Sequence, residues 1–357
     1  MKPVFQHSRT LRSALLLCIS IAGSATAAYS QLGVHPDTLY TFIRYNSVQR
    51  AGADWPTIDR NFKAELSQAR NISDTMKCFV HVLAQLNDVH SQIFLQGKTY
   101  GHYPSYPDST LARLSPMVSK SNAIVNRIAT RILPGQVAYV RVPGMQAYGP
   151  EQVNSLARAL YDSVQHFNPD KINGMIIDLR LNGGGNLYPM LAGLSPLLGN
   201  SKVGQEISPE GEVSRTWEIR DCNFYMGTYQ TTHLPQCHSS GWKEVKVVVL
   251  LGPVTLSSGS MTAIALKGRP GTVFIGEPTA DGYTTSNNYF QFASQLTLNF
   301  ATHFVADRNG NVYRTVVPPD ILVWGGDNFD DLPHDKKIAA ALRWLIENHK
   351  HSVHDRK

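Results

Sequence analysis

Val247-Val-Val-Leu-Leu-Gly-Pro-Val-Thr-Leu-Ser257-Ser-Gly-Ser-Met-Thr-Ala-Ile-Ala-Leu266 changes character in its middle: an apolar run gives way to small residues, and a helix-like pattern follows. Five consecutive Val and Leu residues suit a strand covered on both faces, and Met261 to Leu266 suit a helix packed on that strand. Ser257 then stands at a strand-to-helix corner. The first amides of such a helix have no partner within it and carry the positive end of its dipole, so they can stabilise an oxyanion beside a serine. Thr255, Ser257 and Ser258 are also residue types that cap a helix. The corner is either a cap or a seat for a nucleophile, and other segments must decide.

On both sides of this stretch strands alternate with helices. Val137-Ala-Tyr-Val-Arg-Val reads as a strand, Gly149 to His166 as a helix, and Met175-Ile-Ile-Asp-Leu-Arg as a strand broken at Asn182-Gly-Gly-Gly185. Leu187 to Leu198 reads as a helix, Thr272 to Ile275 as a strand, and Asp335 to His349 as a closing helix with Ile338, Leu342 and Leu345 on one face. This alternation implies an α/β fold with a mostly parallel sheet, whose ligands gather at the carboxyl ends of the strands. Both the glycine turn and the Ser257 corner lie at such ends. The turn lacks the spacing and the Lys-Ser/Thr ending of a phosphate loop. Three glycines after a buried strand serve either a tight turn or the close approach of backbone amides to a ligand.

Residues 1–27 read as a signal peptide: Lys2, Arg9 and Arg12 precede an apolar core from Ala14 to Ala22, and Ala25-Thr26-Ala27 fits a cleavage site. The expected localisation is export, periplasmic or extracellular, with no integral membrane segment after cleavage. Residues 28–95 form an N-terminal helical subdomain, with Ser73 or Asp74 capping its last helix. Residues 96–134 are a connecting segment, loop-like over 97–112, and 135–349 are the core domain.

Of the 357 residues 42% are hydrophobic and 17% charged, which excludes a disordered chain. The net charge of +6 is spread along the chain without basic runs, so nucleic acid is not an expected partner. The 13 histidines are scattered and no Cys/His cluster has zinc spacing, so neither a metal nor another cofactor is expected. Cys222 and Cys237 flank a polar segment that a disulfide would close in an oxidising compartment, and Cys78 sits in an apolar helical pattern as a buried small residue.

Asp178-Leu-Arg-Leu-Asn-Gly-Gly-Gly185, Thr255-Leu-Ser-Ser-Gly-Ser260, Gly276-Glu-Pro-Thr-Ala280, Val317-Pro-Pro-Asp-Ile-Leu-Val323 and Leu86-Asn-Asp-Val-His-Ser91 occur in an order and spacing that span most of the chain after residue 27. Together they resemble the serine peptidase family that includes the carboxy-terminal processing proteases, the tricorn core and the interphotoreceptor retinoid-binding protein. The resemblance implies a parallel β-α core of the kind shared with Clp protease and crotonase. It places Ser257 as nucleophile, with the Ser258 amide and one from Gly183 or Gly184 as the oxyanion hole. Processing proteases take a lysine as base shortly after the Gly-Glu-Pro-Thr motif. Here that position is Gly282, and no lysine stands between Lys267 and Lys336.

Tricorn-like members take a histidine from a Leu-x-Asp-x-His-Ser/Thr pattern, which His90 matches. Histidine titrates near neutrality, and such a base contributes typically about 10²–10⁴-fold. Asp88, Glu277 and Asp281 are the candidates for orienting it. Ser260 stands where relatives commonly carry Glu. The inserted peptide-binding domain of many processing proteases has no room: about 45 residues separate His90 from the Val137 strand, against roughly 80–100 for such a domain. The expected function is an exported serine peptidase acting on a peptide or protein substrate. The alternatives are a non-catalytic relative that binds peptides or small apolar ligands, and a crotonase-like acyl-CoA enzyme. Oligomeric state is not legible.

Overall fold

The computed structural model describes residues 32–235, 237 and 240–354, so the segment read as a signal peptide lies outside the described residues. The chain forms two compact units, one comprising residues up to Pro104 with Asn287–Thr302, the other Ser105–Ser286 with the residues from His303 onward.

In the first unit three helices, α1 (Pro36–Asn46), α2 (Trp55–Gln68) and α3 (Ile72–Gln85), precede a hairpin of β1 (Gln92–Leu95) and β2 (Lys98–Gly101). Asp54 caps α2 by accepting from the Thr57 amide. Asn71 caps α3 by accepting from the Asp74 amide, so that helix begins ahead of the expected Ser73 or Asp74 cap. Leu39, Phe62, Phe79, Val82, Ile93 and Phe300 meet in one buried cluster. Gln92–Leu95 pairs antiparallel with Leu296–Asn299, and this edge, invisible in the local pattern, completes the unit.

The second unit opens with α4 (Asp108–Ala123), followed by β3 (Ala129–Leu133), β4 (Val137–Arg141), α5 (Pro150–Gln165), β5 (Gly174–Asp178), α6 (Leu187–Gly193) and α7 (Ser195–Leu198). The antiparallel strands β6 (Ser201–Ile207), β7 (Val213–Arg220), β8 (Asn223–Met226) and β9 (Tyr229–Gln230) come next. Then follow β10 (Val247–Leu251), α8 (Ser258–Leu266), β11 (Thr272–Gly276), β12 (Thr285–Ala293), β13 (Leu296–Asp307), β14 (Val312–Tyr313), β15 (Ile321–Leu322) and α9 (Lys336–His354). β12 and β13 contribute residues to both units.

The central sheet runs β15-β11-β10-β5-β4-β3, parallel except for the β3–β4 pair. β10 is flanked on both edges and buried throughout, which is why its sequence is apolar without alternation. Val247, Val249 and Leu251 pack with α5, α6 and α8 residues on one face, and Val248 and Leu250 with Ile338, Ala341 and Leu345 of α9 on the other.

The segment 97–112, read as loop, contains β2 and the start of α4. Its Pro, Tyr and Gly content masks short elements that are stabilised by packing rather than by local propensity. The strands β6 to β9, with Phe304–Asp307 of β13 alongside β6, form an antiparallel layer that sequence reading missed entirely. Cys222 and Cys237 form a disulfide beside this layer, with Cα atoms 6.0 Å apart, and Cys78 is a buried free thiol.

Gly193 marks the crossing of α5 and α6, where an added Cβ would stand 2.5 Å from Leu160 Cβ. Alanine there would gain about 1 kcal/mol of helix propensity but lose about 1–3 kcal/mol to overpacking. Gly193→Ala is therefore expected to lower the urea midpoint, whereas Gly52→Ala, which meets nothing within 4 Å, leaves it within about 0.5 kcal/mol or raises it.

Candidate active site

Ser257 follows β10 at the N-terminus of α8 with φ 53° and ψ −126°, a left-handed backbone that a non-glycine residue adopts at a cost of order 1–3 kcal/mol. Its side chain makes no capping hydrogen bond. Neither neighbour caps the helix. Thr255 Oγ1 donates to Leu179 O and accepts from the Gly252 amide, tying the end of β10 to the end of β5. Ser258 Oγ donates to Gly185 O at 2.7 Å. The capping explanation of these hydroxyls is therefore excluded, and the strained corner carries a half-buried serine.

The glycine turn after β5 lies against this corner. A Cβ on Gly184 would stand 2.7 Å from Ser257 Cβ and 3.2 Å from Ser257 Oγ, and Gly184 has φ +88°, so only glycine fits. The reverse contact is equally close: a Cβ on Gly259 would stand 2.5 Å from Asn182 O. The Leu256 amide donates to Asn182 O at 3.1 Å and joins the two turns. The Gly184 amide is taken up by Asn182 Oδ1 at 3.0 Å. The amides of Gly183 and Ser258, in contrast, have no acceptor among the described residues. Asn182 is thus a structural organiser of the site that sequence reasoning passed over. Its one signal was a polar amide directly preceding three glycines.

His90 belongs to the first unit, on the turn between α3 and β1. Asn87 ends α3 with φ 51°, and Asp88 then accepts from the His90 amide at 3.1 Å, the Ser91 amide at 2.9 Å and Ser91 Oγ at 2.6 Å. Asn287 Nδ2 donates to His90 O, and Ser91 Oγ accepts from the Ala301 amide, so the turn is fixed within its own unit. His90 is buried, and burial pushes its pKa down to about 4, so the ring is neutral near pH 7. Burial pushes the Asp88 carboxyl up, against the pull of its three donors. Asp88 shapes the backbone on which His90 stands.

Glu277, a second candidate for orienting the histidine, is committed elsewhere. Its carboxylate accepts from Arg113 Nη1 at 2.6 Å, Lys337 Nζ at 3.0 Å and the Gly325 amide at 3.1 Å. Burial alone would raise its pKa, and Arg113 and Lys337 override that to hold it below the usual range. The neighbouring Arg180 is fully buried and bonds Asp178, Asp327 and Asp335, with Lys337 bridging Asp327 and Glu277. This network, invisible from residue types alone, anchors the ends of β5 and β11. Asp281 lies exposed in the turn after β11, where the adjacent Ala280 amide donates to Thr255 O. Ser260 is fully buried and donates to Thr255 O at 3.3 Å, so the position carries a satisfied hydroxyl.

Among the described residues no group of three or more His, Cys, Asp or Glu could hold a metal ion, and no helix is long and apolar enough to cross a membrane.

Comparison with known proteins bears on the fold and the family. The solved structure of a lipoprotein from Streptococcus agalactiae superposes with a TM-score of 0.62 at 20% identity, covering 88% of this chain and 95% of that chain. A putative peptidase from Parabacteroides merdae gives 0.57 at 17% identity, covering 90% and 96%. The photosystem II D1 C-terminal processing protease gives 0.51 at 14% identity, covering 88% and 95%. At such identities the likeness establishes the fold. In sequence, the nisin-resistance protein of Lactococcus lactis subsp. lactis is 33% identical over 171 residues, 48% of this chain and 51% of the relative, so the chain spans about half the length of that curated protein. The model of peptidase family S41 matches residues 136–323, which carry the glycine turn, the Ser257 corner, Glu277 and Val317-Pro-Pro-Asp320. The chain belongs to peptidase family S41.

Proposed function

We propose that this chain is an exported serine peptidase that cleaves peptide or protein substrates through an acyl-enzyme on Ser257, with His90 as general base. The observation that carries the reading is the strained Ser257 backbone at the head of α8, with two unengaged amides, those of Ser258 and Gly183, in the turns that meet there. Ser257 Oγ attacks the scissile carbonyl carbon while His90 takes its proton. The resulting oxyanion is received by the Ser258 and Gly183 amides, the Gly184 amide being already spent on Asn182. The C–N bond then breaks as His90 returns the proton to the leaving amine. Water, deprotonated by His90, attacks the acyl carbon, and the ester bond to Ser257 breaks as the proton goes back to Oγ. Asp88 supports the base by fixing the turn that bears it. The Cys222–Cys237 disulfide and the apolar segment Ala14–Ala22 support export, as do the relatives described as a lipoprotein and a nisin-resistance protein.

A fluorophosphonate probe tests the assignment of the nucleophile. Wild-type protein is expected to become labelled, Ser257→Ala not at all, and His90→Ala about 10²-fold or more slowly, as loss of a general base requires. Folded wild-type protein that resists labelling across a range of pH is instead a binding relative without chemistry.

The pH dependence tests the base separately. His90 accepts a proton only when neutral, and burial has moved its pKa from 6.5 to about 4. The acid limb of kcat/KM is therefore expected below 6.5, toward about 4, and an acid limb that keeps its midpoint in the residual activity of His90→Ala would remove His90 from the role. Because the depressed value belongs to the folded state, the unfolded chain takes up the proton first as pH falls. The His90 contribution to stability is thus complete above 6.5 and is lost on acidification toward 4.

A further inference from the structure

α4 lies in the segment that reads as a connection, and it carries one buried hydroxyl that the chemistry above does not use. Ser121, 4% exposed, donates from Oγ to Leu181 O at 2.9 Å, and a Cβ on Gly183 would stand 3.0 Å from the same oxygen. Leu181 begins the glycine turn. Its carbonyl is held by Ser121, and the amide at the other end of that peptide plane, Asn182 N, is held by Leu179 O at 2.8 Å. In the next plane Asn182 O is held by the Leu256 amide. A peptide unit is rigid and trans, so fixing Asn182 O fixes the opposite direction of the Gly183 N–H, provided the preceding plane does not rotate. Ser121 Oγ and the Leu179 carbonyl hold that preceding plane from its two ends.

We infer that Ser121 is a positioning residue of the proposed active site, holding the Leu181–Gly183 backbone so that the Gly183 amide keeps its aim at the oxyanion. The inference rests on Ser257 being the nucleophile. α4 also reaches this part of the fold through the Arg113–Glu277 and Lys120–Asp330 pairs and through Leu114 and Met117, which pack with Leu181, Val254 and Phe329. Along the same helix Arg113, Met117 and Lys120 line one side of a cavity of about 360 Å³ whose other side is the loop 325–330, with Lys120 paired to Asp330 across it. The Ser121 hydroxyl carries the polar link between the helix and the Leu181 end of the turn. Its loss leaves the buried Leu181 carbonyl without that donor and gives the turn room to relax.

Ser121→Ala is the test, with Ser115→Ala as control, since Ser115 Oγ bonds only the Leu111 carbonyl of its own exposed helix face. Full loss of an oxyanion donor costs about 10²–10³-fold in kcat, so a misaimed one is expected to lower kcat and the fluorophosphonate labelling rate by roughly 10–100-fold, with KM within about twofold. Hydrogen exchange of a peptide spanning 181–185 is expected to accelerate in Ser121→Ala and not in Ser115→Ala, both proteins remaining folded by circular dichroism. A labelling rate within twofold of wild type, a loss confined to KM, or unchanged exchange at 181–185 would overturn the inference. If wild-type protein is itself unlabelled, the nucleophile assignment fails and takes the catalytic aim with it. The exchange arm then reports only whether Ser121 holds the turn.

Discussion

Two backbone turns press against each other more closely than side chains would allow, and the rest of the core is arranged to permit it. The turn after β5 meets the corner after β10 through Gly184 against Ser257 and Gly259 against Asn182, with the Leu256 amide bonded to Asn182 O. The contact requires β5 and β10 to be neighbours in parallel register, so that both end at the same level: Val247 lies opposite Met175 and Leu250 opposite Asp178. Thr255, bridging Leu179 O and the Gly252 amide, locks that level. A one-residue slip of either strand would carry its core-facing side chains to the other face. The burial of β10 on both faces and the geometry of the corner are therefore a single constraint.

Beneath the turns the fold places charge where it would be expensive if unpaired. Arg180 and Lys337, both fully buried, share four carboxylates, and Asp178, Asp335 and Glu277 are also bonded to backbone amides or to other donors. Burial opposes the charges of Asp178, Arg180 and Glu277. The guanidinium nonetheless holds Asp178 below the usual carboxylate range, and the carboxylates hold Arg180 above its own. Such a network adds little stability compared with an apolar replacement, but breaking it strands a buried charge, typically at about 3–5 kcal/mol. It acts as a rigid connector among the ends of β5 and β11, the loop 325–330 and the start of α9. Its demands explain why Glu277, an attractive carboxylate on residue type alone, is spent on structure.

Membership of peptidase family S41 is established through the core. The hydroxyls of Thr255, Ser258 and Ser260 all have structural partners, the Gly184 amide is satisfied, and two amides stay unengaged beside a strained serine. The buried, neutral His90 stands on a turn that spends three hydrogen bonds on its own geometry.

The central parallel strands were legible because burial on both faces leaves a signature within five residues: Val247–Leu251 and Met175–Ile177 have no polar position that could face water. The corner at Ser257 and the glycine turn at 183–185 were legible as backbone features, because a strand end followed by small residues brings its own geometry. The antiparallel strands β6 to β9 were not, since Ser201–Ile207 and Val213–Arg220 mix polar and apolar residues and become strands only by pairing with distant partners. α4 was hidden by the Pro, Tyr and Gly preceding it. By itself the sequence determined the α/β core, the strand-to-helix corner and the residue types that gather there, because these follow from periodicity and from the conformational freedom of glycine. Only the tertiary structure decided that Asn182 engages Gly184 and leaves Gly183 unspent, that Glu277 belongs to Lys337, and that Ser121 reaches the turn, because hydrogen-bond partners far apart in the chain are chosen by packing and leave no local trace.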